Sequence, residues 1–315
     1  MAENSKIEWT HHTANLWWGC TEVHAGCDNC YARVLSHRWG QELWGNDSPR
    51  REIKSVWNDL DRYQKMAAEA GEMHRVFVGS MMDIFEKPMP LIDSKGNPND
   101  FDTDYLRTIL FEAIQDGRYP NLLFLFLTKR PSNINKYIPE AWKTDCPENV
   151  MFGTSPVNQE TADKLIPQLL EAPGRKFLSV EPMLGPVNFS KVFCNRFCDE
   201  GIRCQEECYY TTSGLKTCKI KGIDWVICGG ESGHFSRPLH PEWVRSIRDQ
   251  CISANVPFFF KQWGEYRYTE SDGEYKYPDG CMSLAQDKPV LVRKVGKSKS
   301  GRILDGHIYN EFPNN

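Results

Sequence analysis

Leu122-Leu-Phe-Leu-Phe-Leu127 is followed at once by Thr128-Lys-Arg130. Six apolar residues without alternation describe a strand covered on both faces, as in a parallel sheet flanked by helices. Polar and charged residues directly after it describe the end of such a strand, where parallel α/β folds build their sites. The reading repeats on both sides. Upstream, Leu16-Trp17-Trp18 leads into Gly19-Cys20, and Arg75-Val-Phe-Val-Gly79 leads into Ser80-Met-Met-Asp83. Downstream, Asn149-Val-Met-Phe-Gly153 precedes Thr154-Ser155, and Lys176-Phe-Leu-Ser-Val180 precedes Glu181-Pro182. Trp225-Val-Ile-Cys228 then precedes Gly229-Gly-Glu-Ser232, and Pro257-Phe-Phe-Phe260 precedes Lys261-Gln262.

Helical stretches separate these strands. Residues 53–70 are charged, Ala-rich and periodic. Residues 104–116 place Leu106, Ile109, Leu110, Ala113 and Ile114 on one face. Residues 161–171 begin near the cap-like Asn158. Residues 241–254 carry Pro241 in the first turn and stop before Asn255. Alternation of this kind predicts βα units and a parallel sheet. The number of units, and the lack of a GxGxxG after the first strand, favour a partial or complete parallel (β/α) barrel over an open doubly wound sheet. Two stretches break the rhythm. Residues 190–222 hold five cysteines and few core-forming residues, so they read as an insertion. Residues 266–279 are rich in Tyr, Asp, Glu and Gly and read as a surface loop or hairpin. Basic residues follow at Lys288, Arg293, Lys294, Lys297, Lys299 and Arg302. The expected organisation is a barrel over 1–265 with a Cys-rich insertion at 190–222, then a loop and basic tail over 266–315.

Of the 315 residues, 40 % are hydrophobic and 25 % charged. A chain of this size buries a core without metal or disulfide staples. Metal ligands therefore serve local chemistry. The net charge of −4 provides no whole-protein basic field for non-specific nucleic-acid binding. The N-terminus lacks the apolar region of a signal peptide, and the apolar run at 122–127 is too short to cross a bilayer. The expectation is a cytoplasmic protein with no membrane partner, whose thiols stay reduced. Clustered cysteines among the twelve then read as metal ligands.

The first cluster is Cys20-x6-Cys27-x2-Cys30, directly before Tyr31. Thiolates are the usual ligands of iron–sulfur clusters. A structural zinc site wants four closed ligands, whereas a cubane on three cysteines leaves one iron open. His24 lies between Cys20 and Cys27, so a Cys3His zinc site is the alternative. The second cluster is Cys194-x3-Cys198-x5-Cys204-x3-Cys208, with Cys218 beyond it. Both a second iron–sulfur cluster and zinc suit it. Cys146, Cys228, Cys251 and Cys281 stand apart, and Cys228 and Cys251 sit in apolar contexts that suit the core.

Several segments together carry a family resemblance. They are Trp17-Trp-Gly-Cys20, Gly26-Cys-Asp-Asn-Cys-Tyr-Ala32, Val78-Gly-Ser-Met-Met-Asp83, Leu127-Thr-Lys-Arg-Pro131 and Gly153-Thr-Ser155. Ser179-Val-Glu-Pro182, Gly229-Gly-Glu-Ser-Gly233 and Gly301-Arg-Ile-Leu-Asp-Gly306 extend it through most of the chain. The sequence resembles a phage-associated three-Cys-motif family that is itself similar to radical S-adenosylmethionine (radical SAM) enzymes. It departs from the common radical SAM pattern. Six residues rather than three separate the first two cysteines, and the position before the last cysteine is Asn29, with Tyr31 just after it.

The resemblance implies a barrel of the radical SAM type and a [4Fe-4S] cluster on Cys20, Cys27 and Cys30. The open iron would chelate S-adenosyl-L-methionine, and one-electron cleavage would give a 5′-deoxyadenosyl radical that abstracts hydrogen from a substrate. A reductant such as flavodoxin or ferredoxin would supply the electron. Tyr31 joins the expected cofactor contacts from its place beside the last cysteine. Ser80 and Asp83 stand where the superfamily binds the methionine amino group. Ser155 and Glu181 are candidates for ribose or carboxylate. Lys129, with Arg130, is a candidate for a carboxylate or phosphate. Gly229, Gly230 and Glu231 form a turn that brings backbone close to adenine or substrate. Plainer uses stand beside these: Asp83 as a helix cap, Ser155 as a turn former before Pro156, and Glu181 as an ion-pair partner of Lys129. The phage association and the basic stretch point to nucleic acid or a nucleotide as substrate. The competing function is a non-catalytic zinc- or iron–sulfur-binding protein that binds nucleic acid.

Overall fold

The structure, a computed structural model, describes residues 5, 7–38, 40, 42–189, 208–210, 216–218, 222–270, 281–284 and 290–313. The strands are β1 (His12–Ala14), β2 (Trp17–Trp18), β3 (Arg50–Glu52), β4 (His74–Val78), β5 (Pro90–Ile92), β6 (Pro98–Asp102), β7 (Leu122–Thr128) and β8 (Val150–Thr154). They continue with β9 (Arg175–Val180), β10 (Cys208–Tyr210), β11 (Lys216–Cys218), β12 (Trp225–Gly229), β13 (Phe258–Gln262), β14 (Tyr266–Glu270), β15 (Cys281–Leu284) and β16 (Val290–Lys294). The helices are α1 (Tyr31–Arg38), α2 (Val56–Ala70), α3 (Thr103–Gln115), α4 (Ile134–Tyr137), α5 (Glu140–Thr144), α6 (Gln159–Leu170), α7 (Pro241–Ala254) and α8 (Lys297–Ser300).

Seven strands form one parallel sheet, in the order β1-β4-β7-β8-β9-β12-β13 of a half-barrel. The expected partial barrel is therefore present. The chain forms two compact units, residues 1–155 with 168–177 and residues 156–167 with 178–315. This division does not coincide with the boundary at 265 expected from composition.

In the first unit, β4, β7 and β8 run in register, with Val76 beside Phe124 and Phe124 beside Val150. Their apolar runs are buried on both faces, as continuous hydrophobic strands require. The first strand of the sheet is not 16–18 as the apolar signal predicts. It is β1, which pairs with β4 from His12 against Val76 to Ala14 against Val78. His-Thr-Ala carries no apolar run. It is buried through contacts a periodicity cannot show: His12 stacks on Tyr63 with ring centroids 4.0 Å apart. Trp17 and Trp18 instead pair antiparallel with β3, in a small sheet of order β2-β3-β5-β6.

Helix α3 starts at Asp102, whose carboxylate accepts from the backbone N–H of Asp104 and Tyr105. Its buried face holds Leu106, Leu110 and Ile114 as expected, but Phe111 and Arg107 complete it, and Ile109 and Ala113 are half-buried. Phe111 sits edge-on to Phe126 of β7 at 5.4 Å. Helix α2 ends at Gly71, whose φ of 65° only glycine adopts without cost.

In the second unit, α6 is started by Asn158, whose side chain accepts from the Thr161 N–H at 3.0 Å. Helix α7 spans the residues expected and ends at Asn255 in the left-handed region. Beyond 265, where the sequence predicts a loop or hairpin and a basic tail, the described residues form a sheet of order β14-β16-β15, in which Tyr266, Val290 and Val292 form a small core. The alternating aromatics Tyr266 and Tyr268 are its strand signal, masked by surrounding charge. Residues 309–311 return along the edge of β13: Phe260 N–H donates to the Tyr309 carbonyl at 3.1 Å, and Glu311 N–H to the Phe258 carbonyl at 3.2 Å. Within the insertion, β10 and β11 pair antiparallel with Cys208 opposite Cys218. Cys194, Cys198 and Cys204 lie outside the described residues.

Candidate functional site

The three-cysteine loop belongs to the first unit. Gly19, at φ 116°, leads into Cys20, and a Cβ there would lie 2.5 Å from the Leu43 carbonyl oxygen. The backbone therefore passes where no other residue fits. The Cys20 carbonyl accepts from Gly45 N–H at 3.0 Å. Cys27 closes a short 3-10 turn capped by His24, whose Nδ1 accepts from Gly26 N–H at 3.1 Å. Cys30 N–H donates to the Cys27 carbonyl, and the Cys30 carbonyl accepts from Val34, so α1 grows directly out of the cysteine turn. Arg33 pins the loop by reaching the Asp28 carbonyl and Glu22. All three cysteines are half-buried free thiols.

A buried ionic cluster backs Cys20. Arg130 donates from Nη1 to Asp83 Oδ2 at 2.8 Å and reaches the Cys20 sulfur at 3.9 Å. Its Nη2 donates to the Thr21 carbonyl at 2.6 Å. Asp83 also accepts from Phe85 N–H, Thr128 Oγ1 and Lys129 N–H, which fills its carboxylate. Behind it, fully buried Arg50 binds Glu86 in a fork, Nε to Oε2 at 2.9 Å and Nη2 to Oε1 at 2.7 Å. Burial, with Asp83 and Glu86 adding to it and Arg130 opposing, pushes the Cys20 thiol up to about 12. The same carboxylates overcome burial to push the Arg130 guanidinium above its usual range.

Two further strand-end residues, Ser80 and Ser155, belong to the same unit. Ser80 Oγ accepts from Asn15 Nδ2 at 2.8 Å, and its carbonyl accepts from the Tyr31 hydroxyl at 2.7 Å. Ser155 after β8 is buried, and its hydroxyl has no hydrogen-bond partner among the described residues.

In the second unit, Glu181 pairs with Lys261, Nζ to Oε1 at 2.5 Å, and not with Lys129. A Cβ on Gly229 would sit 3.4 Å from the Glu181 carboxylate. Buried Glu231 is taken by Arg237, which reaches both carboxylate oxygens. A Cβ on Gly230 would lie 2.3 Å from the Trp263 carbonyl oxygen. Its glycine is thus required by internal backbone packing.

Three thiols, two of them on consecutive turns and one beside a guanidinium, are the donor chemistry of a thiolate-held iron–sulfur cluster. Among the described residues no three His, Cys, Asp or Glu side chains are gathered into a metal site. No helix among them is long and apolar enough to cross a membrane. A family model described as "Protein of unknown function (DUF5131)" matches residues 4–313.

The chain belongs to the DUF5131 family. No curated protein and no solved structure matches it. In this DUF5131 chain Arg130 bridges Cys20 and Asp83, and a separate hydrogen bond ties Tyr31 to Ser80. Lys129 joins through its backbone. Arg50, Glu86 and Asn15 complete the cluster and carry no sequence motif. Their one signal is charge beside apolar residues, as in Asp83-Ile-Phe-Glu86. The basic stretch is partly consumed inside the protein: Lys294 bonds the His234 carbonyl, and Arg302 the Phe260 carbonyl.

Proposed function

We propose that this protein is an enzyme of the radical SAM type, with Cys20, Cys27 and Cys30 as the ligands of a [4Fe-4S] cluster. The observation that carries the reading is the three free, half-buried thiols on one loop, backed by a cation, in the unit that holds the start of the parallel sheet. When bound, such a cluster supplies one-electron reductive cleavage of S-adenosyl-L-methionine and, through it, hydrogen abstraction from a substrate. The chain's own residues do the rest. The thiols bind, Arg33 and Gly19 hold the loop's path, and Tyr31 ties the start of α1 to the end of β4. Ser155 offers a buried hydroxyl to a ligand, the kind of group whose desolvation a bound molecule offsets. Asp83 has no capacity left for a methionine amino group and serves instead to hold Arg130. The reading places the protein in the cytoplasm with a flavodoxin- or ferredoxin-type reductant, and takes a nucleic acid or nucleotide as substrate. The insertion is the place for a second iron–sulfur or zinc centre, with Cys208 and Cys218 opposite one another in its strand pair.

Anaerobic reconstitution with iron and sulfide tests the reading. The expected result is the broad visible absorbance of thiolate-bound iron, lost in Cys27→Ala, together with reductive cleavage of S-adenosyl-L-methionine. Stoichiometric zinc on the three cysteines without cleavage overturns it and favours the non-catalytic metal protein.

A further inference from the structure

We propose that Arg130 is the positioning residue of the three-cysteine loop, fixing Cys20 by a cationic N–H···S contact and thereby setting the reduction potential of the cluster. The inference rests on the cluster reading above and extends it to a residue outside the ligand set.

The geometry is a fork with four addresses. Arg130 Nη1 faces Asp83 Oδ2 at 2.8 Å and the Cys20 sulfur at 3.9 Å, while Nη2 donates to the Thr21 carbonyl at 2.6 Å and lies 3.7 Å from Glu86 Oε1. One side chain therefore holds the cysteine and the residue after it. A planar guanidinium reaches these acceptors together, and an ammonium does not. The fork is itself held. Pro131 follows it and opens a 3-10 turn, and Asn133 N–H closes that turn on the Arg130 carbonyl at 3.0 Å. Asp83 is locked by Phe85, Thr128 and Lys129, so its direction does not depend on Arg130.

Charge counting gives the consequence. Arg50 and Arg130 balance Glu86 and Asp83, and all four side chains are at most 14 % exposed. A Cys20 thiolate, once it ligates a cluster, adds a negative charge beside this balanced set. Without Arg130 it faces an excess carboxylate. Adding an electron to a cluster on that thiolate becomes harder, because hydrogen bonds and net charge at the sulfurs set the potential. Cationic hydrogen bonds are also the stronger kind.

The test is a one-electron dithionite titration of the reconstituted cluster in the full chain, comparing the parent, Arg130→Gln and Arg130→Lys. Arg130→Gln is expected to shift the midpoint potential to more negative values, and to lose iron to a chelator roughly 10-fold faster. Arg130→Lys keeps the charge, so it returns most of the potential shift while keeping the faster iron loss. Equal potentials in all three proteins overturn the inference and leave the cluster assignment standing. A parent protein that takes up no iron–sulfur cluster overturns both. Should Arg130→Gln hold no cluster, Arg130→Lys decides alone: faster iron loss supports the positioning role, and unchanged iron loss and potential overturn it. Thermal unfolding of the metal-free proteins separates a loss of fold from a loss of tuning.

Discussion

A methyl group added at Gly153 would lie 2.4 Å from the ring of Phe177. The strand end thus has room for the ring because the residue beneath it has no side chain. Gly153→Ala is expected to lower unfolding stability by about 1–3 kcal/mol through overpacking, read by urea denaturation. Pairing it with Phe177→Leu should return most of the loss, and an equal loss in the double variant sinks the explanation. The polar strand ends show how far single residues are legible. Ser80, Asp83 and Lys129 stand out in the sequence because they follow apolar runs. Their duties do not, because Asp83 is filled by partners on a different strand and Ser80 by Asn15. Glu181 was legible as an ion-pair member, but its partner is Lys261 and not Lys129.

Among elements, the long apolar strands and α7 follow directly from the sequence. The short ones do not. Strand β1 is buried by histidine stacking and by Thr10, whose hydroxyl donates to the His12 and Arg75 carbonyls, so no hydrophobic run announces it. Segment 309–312 is equally silent, yet it covers the outer edge of β13. Trp225 Nε1 donates to the Glu311 carbonyl at 2.9 Å, and Phe312 packs 5.3 Å from Phe259. An uncovered edge strand is a template for association. A chain stopped at Ile308 is expected to be less stable by about 2 kcal/mol from the lost packing and to self-associate. Light scattering and denaturation would show a monomer of unchanged stability if the segment were idle.

At the scale of the whole molecule, acid sensitivity follows from a histidine cluster at the opposite end of β1 and β4 from the cysteines. His12 Nε2 and His74 Nδ1 are 3.0 Å apart, and His11 stacks on His74 at 4.8 Å. Burial, then the charges of Arg75, His74 and His12, lowers His11 from 6.5 to about 4. Burial, then His74 and Arg62, does the same to His12. Below pH 6.5 the unfolded chain takes up protons here that the folded chain refuses until about pH 4. Stability is therefore full above 6.5 and falls as pH drops toward 4, by on the order of 2 kcal/mol per histidine after allowing for solvent screening. Urea denaturation across that range should show the slope, and His12→Phe, which keeps the stack on Tyr63, should flatten it. An unchanged slope in that variant assigns the sensitivity elsewhere. The parallel architecture and the cysteine loop were thus readable from the chain, whereas the networks that hold them come from residues distant in sequence.

The two glycines after β12 and β13 press on each other's loops. A Cβ on Gly230 meets the Trp263 carbonyl oxygen at 2.3 Å, and one on Gly264 meets the Glu231 carbonyl oxygen at the same 2.3 Å. Neither loop can be redesigned while the other stays fixed. A mutant library that randomises one of them inherits a veto from the other, so new specificity on this scaffold has to be sought through paired loop exchange.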